Sequence, residues 1–142
     1  MGEPMKSAHF FAMEASIESI CELTSWAEAA TRSHGELNST AINGLLVCLE
    51  ELVANIALYG THDNVIPTVR IALNIKNGLV EVVIEDDGPA FDPVGEPEPD
   101  VLETDLDFMT VGGRGLRIVR NLAREMSYER VNGWNCNRLV FV

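Results

Sequence analysis

Basic residues are scarce in this chain: 10 Lys and Arg stand against 22 Asp and Glu, giving a formal charge of -12 over 142 residues. Such a surface repels a nucleic-acid backbone, so direct DNA or RNA binding is excluded as the main activity, and proteins with basic faces become the better class of partner. Cysteine is thin as well. Cys21, Cys48 and Cys136 form no CxxC pair and have no histidine nearby at zinc-ligand spacing, which speaks for buried, reduced thiols rather than a disulfide framework or a structural zinc. Long apolar runs are missing too. Met1 to Ser7 is not a charged start leading into an apolar stretch, and Glu50 and Glu51 interrupt the most apolar helical segment, so no membrane span is expected and the expected location is cytoplasmic. There is no internal repeat, and only the acidic stretch after Pro93 approaches low complexity.

What is present is an ordinary globular composition, with 46% hydrophobic and 23% charged residues. That is enough apolar material for one sizeable core, and the length suits one domain over residues 1–142, with residues 1–8 expected to be a flexible tail.

Periodicity divides the chain into elements. His9 to Met13 reads as a strand, and Ser16 offers an N-cap to a helix with Ile17, Ile20, Cys21, Thr24 and Ala27 on its apolar side, ending near Gly35. From Thr40 to Tyr59 the spacing of Ile42, Leu45, Leu46, Leu49, Leu52, Val53 and Ile56 is strongly helical, with Gly60 as terminator. Thr68 to Ile75 alternates, Asn77-Gly78 supplies the positive φ angles of a type I′ turn, and Leu79 to Glu85 completes a hairpin. A further helix is marked by Leu116, Val119, Leu122 and Ala123, and strands at Met126 to Arg130 and Arg138 to Val142 are joined through Asn132-Gly133. This order predicts an α/β (α+β) two-layer sandwich, with helices on one face of a mostly antiparallel mixed sheet.

Three segments could carry chemistry. On the long helix Glu51 and Asn55 lie about 40° apart on a helical wheel, opposite the Ile42/Leu46/Leu49/Val53 stripe, with Tyr59 one turn on. Oxygen ligands of that kind suit Mg²⁺, which takes one or two protein ligands beside substrate phosphates; the same pair is also what any solvated helix face carries. The segment Asp86-Asp87-Gly88-Pro89-Ala90-Phe91-Asp92 follows an apolar strand, where a carboxylate can accept from an exocyclic amine and a glycine admits a flat ring; it equally suits a plain strand-ending turn. Gly112-Gly113-Arg114-Gly115-Leu116 leads into a helix, so backbone N–H groups, the helix dipole and Arg114 could meet an anion, although the Gly-Lys-Ser/Thr ending of a P-loop is absent.

Together and in this order, the three segments resemble the GHKL (Bergerat-fold) ATPase superfamily, and within it the anti-sigma-factor serine/threonine kinases of bacteria. Glu51-Leu52-Val53-Ala54-Asn55 is similar to the family's N box, Asp86 to Asp92 to its first glycine box and Gly112 to Leu116 to its second. The resemblance covers Thr40 to the C-terminus, and Phe10 to Arg32 suits the usual opening strand and helix. It implies ATP and Mg²⁺ as cofactors, with Asn55 holding the metal and Glu51 as the base that activates a serine or threonine hydroxyl. It further implies that Asp86 binds the adenine amine, that Gly88 and Phe91 belong to the base site, and that Gly112, Gly113, Arg114, Gly115 and Leu116 wrap the phosphates under a lid at residues 94–110. The implied partners are an anti-anti-sigma (STAS-type) protein as substrate and a sigma factor as target, with a homodimer through the sheet as a family habit.

Two departures stand out. Arg117 occupies a position where relatives often have a further glycine, and between Asp92 and Asp107 no Lys or Arg offsets seven acids, which suggests that this segment grips a basic partner. The alternative function is a non-catalytic nucleotide-binding module acting by sequestration. The ATP-binding part of a histidine kinase is disfavoured, because His9, His34 and His62 do not sit in a phospho-accepting helical hairpin.

Overall fold

The computed structural model describes residues 8–35, 37–93 and 111–142, with the side chains of residues 111–115 outside the description. The elements run β1 (Ala8–Glu14), α1 (Ile17–Arg32), α2 (Ser39–Tyr59), β2 (Thr68–Lys76), β3 (Leu79–Asp86), α3 (Val111–Leu122), β4 (Glu125–Val131) and β5 (Trp134–Phe141). The strands form one sheet in the order β1-β2-β3-β5-β4, and every ladder among them is antiparallel. The sheet is therefore not mixed among the described residues, since each neighbouring pair is a hairpin or a connection that reverses direction.

Local chemistry explains most boundaries. The Ser16 side chain accepts from the Ser19 amide and Asn38 from the Ala41 amide, so α1 and α2 each start on a polar cap. Both Asn-Gly turns adopt positive φ, 52° and 76° at Asn77 and Gly78, 49° and 85° at Asn132 and Gly133, which fits the right-handed twist of the two hairpins. Gly60 caps α2 at φ -86°, so a left-handed turn is not its reason. A Cβ there would stand 2.5 Å from the Ile56 carbonyl oxygen and 2.9 Å from Pro67 Cγ, so the close approach of the next segment requires glycine.

The core lies between the sheet and the helices. Val69, Ile71, Leu73 and Ile75 on β2 and Val80, Val82 and Ile84 on β3 are buried in strict alternation. Against them lies α2, flanked by α1 and α3. It is the one helix among the described residues long and apolar enough to cross a membrane, with mean hydropathy 1.7, but here its apolar side chains Leu45, Leu49, Leu52 and Val53 form the centre of the core.

Four expectations need correction. The buried side of α1 carries Leu23, Ala27, Ala30 and Thr31, while Ile17 and Cys21 are exposed, because the helix is turned to seat Trp26 on Phe11, ring centroids 5.2 Å apart. β5 begins at Trp134, four residues before the expected Arg138, since its polar Asn135 and Asn137 are paired to β3 in the ladder. α3 begins at Val111, so the glycines form its first turn and not a loop ahead of it. Asn55 is buried, not on a solvated face opposite the apolar stripe, because it lines an inner cavity together with Asp86 and Asn137 of the sheet.

Candidate functional site

Period-two alternation decides where Asp86 points. It continues the buried series Val80, Val82, Ile84 and therefore faces the helices at the end of β3, only 4% exposed. On the neighbouring strand Asn135 pairs with Asp86 and Asn137 with Ile84, and both are buried on the same side. One end of an otherwise apolar inner face is thus polar, and α2 adds Asn55 to it.

These groups line a single cavity of about 150 Å³, with Leu52, Ile56, Ala90 and Phe91 as apolar walls and Tyr59 and Pro93 at the margin. A concave, mainly apolar space with a few convergent polar groups is the usual form of a small-molecule site. Asp86 Oδ1 accepts from the Gly88 amide and from Asn135 Nδ2, each at 3.0 Å, while Oδ2 has no partner among the described residues. Burial pushes the Asp86 carboxyl above the usual carboxylate range, opposed by those two hydrogen bonds and by Arg130.

Asn135 holds the loop after β3 in place. Its Nδ2 also donates to the Pro89 carbonyl at 2.9 Å, and its Oδ1 accepts from the Phe91 amide at 3.2 Å and the Tyr128 hydroxyl at 2.6 Å. Burial raises the Tyr128 phenol, which keeps its proton available as a donor. Arg130 Nη1 donates to the Gly88 carbonyl at 2.9 Å, Asp87 Oδ1 accepts from the Thr68 amide at 2.7 Å, and Arg120 donates to the Pro93 carbonyl. Neither Asn135 nor Tyr128 was marked by the sequence reasoning. The available signal was the alternation Asn135, Asn137, Leu139, Phe141 in a strand otherwise apolar on that side.

Of the expected site residues, Asn55, Asp86 and Phe91 meet at the cavity. Gly88 is not among its lining residues; a Cβ there would come within 3.0 Å of Asp86 Oδ1 and 3.3 Å of Pro67 Cγ, so glycine lets its amide reach the carboxylate. Glu51 is one turn before Asn55 on α2, half-buried, and is not among the cavity's lining residues; burial first and Glu50 second raise its carboxyl. Leu116 buries its side chain in the core, so only its backbone is left to meet an anion. The side chains of Gly112, Gly113, Arg114 and Gly115, residues 1–7 of the expected tail and the expected lid at 94–110 lie outside the described residues.

A magnesium ion fits the donor set on one observation. Asn55 Oδ1 is buried without a hydrogen-bond partner, a hard oxygen of the kind Mg²⁺ accepts as one of few protein ligands. Among the described residues there is no group of three or more His, Cys, Asp or Glu that could hold a metal by themselves, so phosphates and water would have to complete the shell.

Residues 13–141 match the family described as histidine kinase-like ATPase domain. The serine/threonine-protein kinase BtrW of Bordetella bronchiseptica is 32% identical over 91 residues, 64% of this chain, and the match spans 63% of that relative's length. A crystal structure of the RsbU and RsbW domains of Rv1364c from Mycobacterium tuberculosis superposes with a TM-score of 0.66 at 15% identity, covering 94% of this chain and 32% of that one, a likeness of fold.

Proposed function

The chain belongs to the histidine kinase-like ATPase domain family, and from that premise we propose that it is an ATP-dependent serine/threonine protein kinase of the anti-sigma-factor type. The observation that carries this reading is that Asp86 and Asn55, whose side-chain oxygen is buried without a partner, both line one cavity with apolar walls. Asp86 accepts from the adenine amine, and the walls from Leu52, Ile56 and Phe91 take the ring faces. Asn55 would hold Mg²⁺, and the ion would supply charge neutralisation for the phosphates. The first turn of α3, with Gly112, Gly113, Arg114, Gly115 and Leu116, turns backbone N–H groups toward the phosphates. Glu51, whose carboxyl is raised by burial, lies one turn away and takes the proton of the attacking hydroxyl; a base closer to neutrality suits that task.

The substrate in this reading is a serine or threonine of a STAS-type anti-anti-sigma protein, and the regulated target is a sigma factor. The run of acids in residues 94–110 favours a basic partner face. The BtrW likeness and the fold shared with an RsbW domain support this class of partner.

Calorimetry with ATP and GTP, with and without Mg²⁺, tests the site. Tight binding of ATP over GTP is expected, with Asn55→Ala weakening only the Mg²⁺-dependent part; equal loss in both conditions removes the metal role. Radiolabel transfer to a STAS-type partner should be lost in Glu51→Ala. Transfer that survives unchanged removes Glu51 as base, and nucleotide binding without any transfer favours the sequestering module instead.

A further inference from the structure

His9 and His34 bring their rings together beside the edge strand β1, and neither of them lines the cavity. Period two puts His9 on the same side of β1 as Phe11 and Met13, which pack against the core, and Phe11 is stacked on Trp26 of α1. His34 lies just past the end of α1, where its amide donates to the Thr31 carbonyl at 3.0 Å and its carbonyl accepts from the Leu37 amide at 3.3 Å. Both backbones are thus held before the half-buried side chains meet. Nε2 of one ring stands 3.4 Å from Nε2 of the other, with the ring planes perpendicular and the centroids 5.6 Å apart. That separation is long for a hydrogen bond from a ring N–H, whose usual range ends at about 3.2 Å. It is the separation that two corners of a zinc tetrahedron require, since bonds of about 2.0 to 2.1 Å at the tetrahedral angle set their nitrogens about 3.4 Å apart. One ring can donate to the other only by holding its proton on Nε2, whereas a cation between them uses both lone pairs with both protons on Nδ1.

We propose that His9 and His34 form a two-histidine site for a divalent transition-metal ion of the zinc class, with water in the remaining positions, and that the ion ties β1 to the turn after α1. The donors select this class, because imidazole nitrogen suits Zn²⁺, Ni²⁺ and Cu²⁺ while Mg²⁺ takes oxygen. The site is therefore chemically separate from the Asn55 oxygen and does not rest on the nucleotide reading. With two protein ligands it is an exchangeable site and not a closed structural cage, in keeping with the lack of any group of three or more His, Cys, Asp or Glu among the described residues.

The test titrates the whole chain, stripped of metal with a chelator, with Zn²⁺ by calorimetry near neutral pH and without nucleotide, using Mg²⁺ as the control ion. Wild type is expected to take up Zn²⁺ and not Mg²⁺, and His9→Ala and His34→Ala should each weaken the uptake about tenfold or more. His62→Ala and Cys21→Ser, which remove exposed donors elsewhere, should leave it unchanged. Zn²⁺ should also raise the Tm of wild type and of neither His9→Ala nor His34→Ala. Imidazole ¹⁵N spectra of the wild-type protein need no variant: the Nε2 signals of His9 and His34 should move together on adding Zn²⁺ and stay in place on adding Mg²⁺. Absence of Zn²⁺ uptake by wild type, uptake that persists undiminished in His9→Ala or His34→Ala, or uptake lost in His62→Ala or Cys21→Ser overturns the assignment and leaves the pair a hydrogen bond between two rings. With no nucleotide in the cell, that result leaves the ATP reading standing.

Discussion

Asn135→Ala offers the sharpest check on how the site is held. The side chain makes four hydrogen bonds: to Asp86 at 3.0 Å, to Pro89 at 2.9 Å, from Phe91 at 3.2 Å and from Tyr128 at 2.6 Å. Three are between neutral groups, each worth about 1 kcal/mol net, and the one to a carboxylate about 2 kcal/mol. Water entering the vacated space recovers part of the sum, so a loss of about 3 to 4 kcal/mol is expected, or a fall in Tm on the order of 10 °C for a domain of this size. Tyr128→Phe removes only one of the four bonds and should cost about 1 kcal/mol. Urea unfolding of both variants gives the two numbers, and hydrogen exchange should show the Phe91 amide protected in wild type and open in Asn135→Ala. If Asn135→Ala costs no more than Tyr128→Phe, the loop after β3 does not depend on Asn135 and the reasoning fails.

Other consequences are simpler to read. Gly60→Ala forces a Cβ to within 2.5 Å of the Ile56 carbonyl oxygen; the end of α2 must shift, and a loss of about 2 kcal/mol or more in urea unfolding is expected, where a loss below about 0.5 kcal/mol would contradict the packing. Asp86 has a folded pKa raised by burial, so its contribution to stability is full below the ordinary carboxylate pKa of about 4 and is lost as pH rises through the raised value. The stability difference between wild type and the isosteric Asp86→Asn should therefore shift against wild type as pH climbs from about 4 toward neutrality; a difference independent of pH removes the burial argument. Burial raises Cys48 to about 12 and Cys136 to about 11, while Cys21 is exposed, so iodoacetamide at pH 8 should alkylate Cys21 first by a wide margin, read by peptide mass.

The β2–β3 hairpin was legible because two local signals agree. Alternation fixes which side chains are buried, and Asn77-Gly78 fixes the register, so the direction of Asp86 follows without any tertiary information. Asn55 was legible in kind and not in surroundings. A helical wheel knows only the helix it describes, and the burial of Asn55 comes from its place beside Asp86 and Asn137 in the cavity against the sheet. The same limit turned α1 by a fraction of a turn, since the Phe11–Trp26 stack is a contact between elements. Asn135 and Asn137 were hidden for a further reason. Asparagine is a poor strand former, so local preference starts β5 too late, and only pairing with β3 keeps both residues in the ladder.

Stability and binding pull in opposite directions at the polar end of this sheet. Asp86 and Asn135 satisfy each other, but Asn55 and Asn137 each leave a buried carbonyl oxygen without a partner. Each such atom costs about 1 to 3 kcal/mol relative to a satisfied one, and nothing in the sheet or helix requires either residue to be polar. A ligand that brings a cation to the Asn55 oxygen recovers part of that cost on binding, which a hydrophobic lining could not offer. Asn55→Leu should accordingly raise the Tm of the free protein while weakening Mg²⁺-dependent ATP binding, a pairing that differential scanning calorimetry with and without Mg²⁺-ATP resolves in one series. A variant that is both less stable and equally able to bind would mean that the unpaired oxygens are packing groups, and that the cavity was not built around a ligand.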